Sequence, residues 1–367
     1  MQRESCKRMM ASSAAEAVLL TGVANMRYVS GFMGEGYVYL SDKQSLVVTD
    51  SRYTVAAKQQ CPDFTVVEWK SKHYYDALLE ALRHDGVKKL GVEEAHMTLS
   101  DYHKLQKELE KDGLDVKMEL LSESLAKLRY VKTMDEIRCI EAAEAITDRA
   151  FSRMLPVLKT GMTEKQVAAY LEFFMKEEGA DAFSFETIAA SGIHSAMPHA
   201  LPTQKTLEEG DFLTMDFGCV YNGYCSDMTR TVIFGRADEK QREIYETVLA
   251  AQRAALQGIR PGMTGKEIDA LARDVIEEKG YGQYFGHSLG HSVGLEIHES
   301  PNFSPRESTR IEPGMVITVE PGIYIEGFGG VRIEDLVVVT ENGCRNLTHS
   351  EKQLMEIGES EEIDAGK

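Results

Sequence analysis

Four carboxylates in the second half of this 367-residue chain occur as two pairs in repeated surroundings. Residues 207–227 run Leu-Glu-Glu-Gly-Asp-Phe-Leu-Thr-Met-Asp-Phe-Gly, pass through Asn222-Gly223 and reach Cys-Ser-Asp. Residues 311–334 run Ile-Glu-Pro-Gly-Met-Val-Ile-Thr-Val-Glu-Pro-Gly, pass through Gly327-Phe328-Gly329 and reach Val-Arg-Ile-Glu. Gly210, Asp216 and Gly218 map onto Gly314, Glu320 and Gly322 at a constant offset of 104 residues. Two hairpins, one with Asp216 and Asp227 and one with Glu320 and Glu334, suggest a shared site on a pseudo-twofold axis. Four converging carboxylates repel one another and take up protons unless cations lie between them. The pattern points to a pair of metal ions. The plainer alternative, a solvent-facing acidic hairpin, fits either copy alone but not the matched pair.

Histidines add to the set. The run His287-Ser-Leu-Gly-His291-Ser-Val-Gly-Leu-Glu-Ile-His298 places three histidines in twelve positions, in a chain with ten. The H-E-x-x-H zinc-helix pattern is absent, and Gly286, Gly290 and Gly294 disfavour a helix here. One nitrogen with four carboxylates is harder and richer in oxygen than a structural zinc site. It suits two divalent ions such as Mn²⁺ or Co²⁺, with Fe²⁺ or Zn²⁺ as alternatives.

The elements that must position these groups repeat as well. Gly161-Met162-Thr163 opens a helical run ending near Gly179, and Gly262-Met263-Thr264 opens another ending near Gly280. His199-Ala-Leu-Pro202 matches His298-Glu-Ser-Pro301. Each half therefore reads helix, loop with a histidine, then acidic hairpin, a duplicated α+β unit with too long a period for a solenoid. A two-residue Asn222-Gly223 loop predicts a type I′ turn pairing Tyr221 with Tyr224. That register sets Gly218 opposite Asp227 and Asp216 diagonal to it. A three-residue loop centred on Phe328 would set Gly322 opposite Glu334, with Glu320 diagonal. Glycine opposite each second acid would leave room for an ion.

Apolar β-rich runs at Ala17–Leu20, Tyr37–Leu40, Ser45–Val48 and Phe64–Val67, then helical stretches near Lys72–Arg83 and Ser100–Lys111, predict a smaller α/β domain over 1–124. The helix expected before the first strand is largely missing or altered in so short an N-terminus. Thr133 with Glu136 fits a capping box opening a helix to about Leu155, at the start of a second domain over 125–358. An acidic tail follows over 359–367.

Composition is ordinary for a globular protein, 43% apolar and 27% charged. A net charge of −18 argues against nucleic acid and anionic membranes as partners. The six cysteines form no C-x-x-C pair, which suits free thiols in a reducing cytoplasm. No signal peptide or membrane span is read.

Phe185–Arg230, Gly286–Glu299 and Pro313–Asp335 together resemble the pita-bread metallopeptidases, which include prolidase, aminopeptidase P and methionine aminopeptidase. Asn25-Met-Arg-Tyr-Val-Ser-Gly-Phe32 and Thr49-Asp-Ser-Arg-Tyr53 resemble the creatinase-like N-terminal domain of the Xaa-Pro branch. The resemblance implies Asp216, Asp227, His291, Glu320 and Glu334 as metal ligands, with Asp227 and Glu334 bridging. It implies His199, His287 and His298 on the substrate side. It gives Arg332, two residues from Glu334, either a proton-moving role or that of a charge partner to the ligands. Glu320 is also a proton acceptor on this view.

The implied reaction is hydrolysis of the bond before proline in short peptides, by water activated between two ions. The implied assembly is a cytoplasmic homodimer. Dipeptidase and aminopeptidase activity stay open. The alternatives are a methionine or broader aminopeptidase, a metal-free creatinase-like enzyme, a silent pita-bread binding module, or a carboxylate-rich calcium binder. The full five-residue donor set argues against the metal-free and silent forms. A calcium site would not need the histidines.

Overall fold

The computed structural model describes residues 2–69 and 74–358. The start of the helical stretch expected from Lys72 and the acidic tail over 359–367 lie outside these residues. The chain divides into two compact units, Met1–Arg129 and Tyr130–Lys367. The division falls a few residues past the expected 124/125. The short helix Ser122–Leu128 belongs to the first unit, where the Leu128 carbonyl accepts the Tyr28 hydroxyl at 2.5 Å.

The first unit is a mixed six-stranded sheet in the order β4-β3-β2-β1-β5-β6. The strands are β1 Ala17–Leu20, β2 Gly36–Ser41, β3 Ser45–Thr49, β4 Thr65–Glu68, β5 Lys89–Val92 and β6 Lys117–Leu120. Strands β1, β2 and β3 are antiparallel neighbours, while β4, β5 and β6 join in parallel. Parallel joins need crossovers, which the helices Thr54–Gln60, Asp76–Asp85 and Leu99–Lys111 supply. One finding reverses an expectation. A ten-residue helix, Arg3–Ser12, does precede β1 and buries Cys6, Met9 and Met10. Their i, i+3, i+4 spacing is one helical face.

The second unit has the same order of elements twice. In the first half, helices Met134–Met154 and Glu164–Glu177 precede a sheet built on Ile188–Ser191, Phe212–Phe217 and Met228–Phe234. In the second, helices Glu239–Gly258 and Gly265–Glu278 precede a sheet built on Gly290–Ser292, Val316–Val319 and Asp335–Thr340. All four helices open with reciprocal capping boxes, at Thr133/Glu136, Thr163/Gln166, Asp238/Gln241 and Thr264/Glu267. Each half has its own apolar core. Phe151, Leu171 and Phe217 lie in one, and Val248, Ile268 and Val337 in the other. Among the described residues no helix is long and apolar enough to cross a membrane.

The first acidic hairpin has the register its turn predicts, with Tyr221 facing Tyr224 and Asp216 facing Thr229. The second does not. Ile325 faces Gly329, so the loop is centred on Gly327, and Gly322 faces Arg332 rather than Glu334. The same register runs on to Val319 facing Asp335. It puts Glu320 level with Glu334, not diagonal to it.

Candidate metal centre and active-site cavity

Asp216 lies inside the strand Phe212–Phe217, and Asp227 immediately precedes its partner Met228–Phe234. His291 is the middle residue of Gly290–Ser292. Glu320 and Glu334 occupy the two breaks where the strands of the second half pass into the short hairpin Gly322–Arg332. All five side chains line one cavity of about 460 Å³, together with His199, His287, His298 and Arg332. Every site residue expected from the sequence is thus brought to one place. Asp227, His291 and Glu334 each offer a donor atom within 4.8 Å of the others.

The halves meet at this point through polar contacts. Glu334 N donates to Thr229 O at 3.1 Å, and Thr229 Oγ1 donates to Glu334 Oε2 at 2.7 Å. Arg332 is buried and holds three partners from the first half. Its Nη2 donates to Asp216 Oδ2 at 2.6 Å, its Nε to Thr229 Oγ1 at 2.9 Å, and its Nη1 to Pro198 O at 3.2 Å. The last contact anchors the loop that carries His199.

The donor set fits divalent cations. Burial, and then the neighbouring carboxylates, push Asp227 and Glu334 well above the usual carboxylate range. Burial also raises Asp216, although Arg332 opposes it. Asp216 Oδ1 is buried without a hydrogen-bond partner. His291 Nδ1 faces Ser292 O at 3.2 Å, which makes Nδ1–H the donor. Its Nε2 then faces Asp227 Oδ2 and Glu320 Oε1, each at 3.4 Å. A ring nitrogen set against two carboxylate oxygens needs positive charge between them, which a divalent cation supplies. Residues Asp216, Asp227, His291, Glu320 and Glu334 together satisfy what hard or borderline cations require.

The glycines have a different reason from the one expected. A Cβ at Gly218 would lie 2.1 Å from Ser226 O, so that glycine permits backbone approach rather than leaving room for an ion. A Cβ at Gly322 would lie 2.4 Å from the Tyr324 hydroxyl, so that glycine makes room for a tyrosine.

Several supporting residues escape a reading of spacing alone. The fully buried Arg230 donates to Glu334 O at 2.5 Å, Thr229 O at 2.9 Å and Asp335 Oδ1 at 2.8 Å. Burial disfavours charge on Asp335, but Arg230 and Lys352 hold its carboxyl below the ordinary value. Glu144 accepts from Asp227 N at 3.2 Å and from Thr348 Oγ1 at 2.6 Å. Burial, then Asp148, push it up to about 8. Lys132 and Glu299 form a buried pair at 3.2 Å, and Glu299 also accepts from the backbone N–H groups of Leu295 and Glu296, beside His298. Thr229 alone carried a signal, since it shares a strand face with Asp227.

The fold and donor set are those of a two-unit chain with a candidate dinuclear metal centre. Residues 138–341 match the model of metallopeptidase family M24, and residues 2–131 match the creatinase/prolidase N-terminal domain. The chain is 42% identical over 355 residues to an Xaa-Pro dipeptidase of Pyrococcus furiosus, covering 96% of this chain and 99% of the relative. Its structure is similar to that of an Xaa-Pro dipeptidase from Bacillus anthracis, with a TM-score of 0.92 and 42% identity over 97% of this chain and 99% of that one. It is also similar to an X-Pro aminopeptidase from Thermotoga maritima, with a TM-score of 0.89 and 39% identity over 96% of this chain and all of that one. The chain belongs to metallopeptidase family M24, with the pita-bread architecture preceded by a creatinase-type N-terminal domain.

Proposed function

We propose that this protein is a metal-dependent Xaa-Pro peptidase that hydrolyses the bond before proline near the N-terminus of short peptides. One observation carries the reading. A single cavity gathers the five donor residues with His199 and His298, in a chain similar over nearly its whole length to an Xaa-Pro dipeptidase and an X-Pro aminopeptidase.

Asp227 and Glu334 would hold both ions, Asp216 one, and His291 and Glu320 the other. When bound, two divalent ions supply Lewis acidity and lower the pKa of water from 15.7 toward about 7. The residues do the rest. His298 is held below its ordinary pKa by burial and then by His291, so at pH 7 it is neutral and keeps an N–H. That N–H donates to the substrate carbonyl oxygen as negative charge grows there. His199 is assigned to the same oxygen or to the substrate backbone. Arg332 holds Asp216 and the His199 loop in register. Glu320, whose Oε1 receives the Thr318 hydroxyl at 3.0 Å, is the acceptor for the proton released during attack.

Mn²⁺ or Co²⁺ suits the donor set ahead of Zn²⁺ or Fe²⁺. A cytoplasmic homodimer follows from the resemblance, and light scattering in solution tests the dimer. The deciding experiment is hydrolysis of Gly-Pro, Ala-Pro and Ala-Pro-Ala by metal-stripped protein refilled with each metal. Metal-dependent cleavage of the dipeptides alone makes it a dipeptidase, and cleavage of the tripeptide too makes it aminopeptidase P-like. No cleavage with any metal, despite two ions bound per chain, overturns the substrate assignment.

A further inference from the structure

The turn that carries His298 is held from the inside by Glu299. It runs between Ser292 and Glu299, which face each other where the strands Gly290–Ser292 and Glu299–Phe303 pair. His291 lies just before it and His298 is its last residue, with the two rings edge-to-face at 4.5 Å. The Glu299 side chain folds back into the turn. Its Oε1 accepts from Leu295 N at 3.1 Å and from Glu296 N at 3.3 Å. Gly294 makes room for the carboxylate, since a Cβ there would lie 2.6 Å from Glu299 Oε2. Gly294 O accepts in turn from Cys225 N at 2.8 Å, which ties the turn to the first acidic hairpin close before Asp227.

The other carboxylate oxygen is anchored from far along the chain. Lys132 Nζ donates to Glu299 Oε2 at 3.2 Å, and the two side chains are only 2% and 3% exposed. The lysine is itself fixed by its backbone. Lys132 N donates to Gly314 O at 2.9 Å, and Val131 is bridged to Met315. Charges taken this far from water need opposite charge and satisfied oxygens. Stability alone does not explain the pair, since a well-packed apolar pair of similar volume is often as stable or more so. What the carboxylate holds does explain it. We infer that Glu299 is a positioning residue for His298, with Lys132 as its anchoring counter-charge: the carboxylate fixes the turn from within and so sets where the imidazole meets the substrate. The inference rests on the peptidase reading, in which His298 donates to the substrate carbonyl oxygen.

Two neutral double variants separate positioning from stability. Lys132→Met with Glu299→Leu removes both charges and the acceptor. Lys132→Met with Glu299→Gln removes both charges and keeps a carbonyl oxygen for Leu295 N and Glu296 N. Neither leaves a buried charge unpaired, so both should fold. Glu299→Met replaces Glu299→Leu if that pair does not. In turnover the leucine variant should lower kcat about 10–100-fold, as a small misplacement of a catalytic group does. KM should stay within about threefold, because the His298 contact strengthens only as charge develops on the substrate. The glutamine variant should recover most of the loss. Adding His298→Ala to the leucine variant should leave kcat no lower than His298→Ala alone, since both act through one imidazole. Equal kcat in the two neutral variants, a loss confined to KM, or losses that add to that of His298→Ala would overturn the inference. A spectroscopic measurement stands apart from the peptidase reading. In ¹⁵N-histidine spectra of the metal-free protein, with His298 assigned by difference from His298→Ala, its ring resonances should move in the leucine variant and return toward their wild-type positions in the glutamine variant. Ring resonances that stay put overturn the inference even if peptides are cleaved. Resonances that move as expected, in a protein that cleaves no peptide, support the control of His298 by Glu299 and overturn the peptidase reading instead.

Discussion

The Thr229 hydroxyl donates to Glu334 Oε2 at 2.7 Å while accepting from Arg332 Nε at 2.9 Å, so one small side chain of the first half fixes a carboxylate and a guanidinium of the second. Thr229→Val keeps the shape and strands both partners. Metal affinity should fall about 10–100-fold. Titration calorimetry with Mn²⁺ measures this, and an unchanged affinity would remove Thr229 from the site.

Metal binding should release protons. Asp227 and Glu334 have raised pKa values in the folded metal-free protein. The unfolded chain gives up those protons near pH 4, whereas the folded chain keeps them. The stability they contribute is therefore complete below about pH 4 and is lost as pH rises through the raised values. Cations replace the protons, so the Tm gain on metal loading should grow with pH above that point. Calorimetry in buffers of different ionisation enthalpy should count the protons released. A pH-independent gain would contradict the raised values.

Asp227→Asn and Glu334→Gln should abolish turnover without unfolding the protein. Each removes one charge from a cluster that repels itself when metal-free. The metal-free variants should melt at or above the wild-type Tm at pH 8, while binding fewer ions per chain. Near-wild-type turnover in either, with contaminating peptidase excluded, would sink the dinuclear assignment.

Gly218→Ala should be costly although glycine-to-alanine changes in strands often stabilise. The added Cβ would meet Ser226 O at 2.1 Å, one residue from Asp227. Overpacking of this kind costs about 1–3 kcal/mol. A Tm drop accompanied by reduced metal content is expected, and a neutral effect would show that the hairpin can shift freely.

Glu144→Gln should separate two pH regimes. The carboxyl is pushed up to about 8, so at pH 4 folded and unfolded chains both largely hold its proton, and there the amide should be nearly neutral to stability. From about pH 4.5, where the unfolded chain ionises this carboxyl, up to about pH 8 the wild type loses stability, the loss is complete above pH 8, and the variant should show none of it. Melting curves at about pH 4 and pH 9 test this, and parallel curves would refute it.

Sequence spacing reached the five donor residues because acids and glycines punctuate two similar hairpins. It placed the first register because Asn222 and Gly223 both take positive φ and allow only a two-residue loop. It misplaced the second because Gly327, with φ of 73°, takes the left-handed position at the centre of the loop, one residue before Phe328. Tyr324 was out of reach for the same reason, since its neighbours depend on that register. Glu144 and Arg230 were invisible for another. Glu144 finds its partners 83 and 204 residues away, and Arg230 finds all but one of its own 104 to 121 away, where local periodicity carries no information. In the first unit, Cys6, Met9 and Met10 did carry a helical signal, diluted by the charged residues between them.

The seam between the two halves has a mechanical consequence. Each half has its own core, and each supplies two of the four carboxylates. Bound ions would therefore act as a clasp, strongest when the halves are closed and lost when they part. Stripping the metal should then loosen the coupling between two lobes that otherwise melt as one, and amide exchange along Thr229–Arg230 and Arg332–Asp335 would be the first to register it.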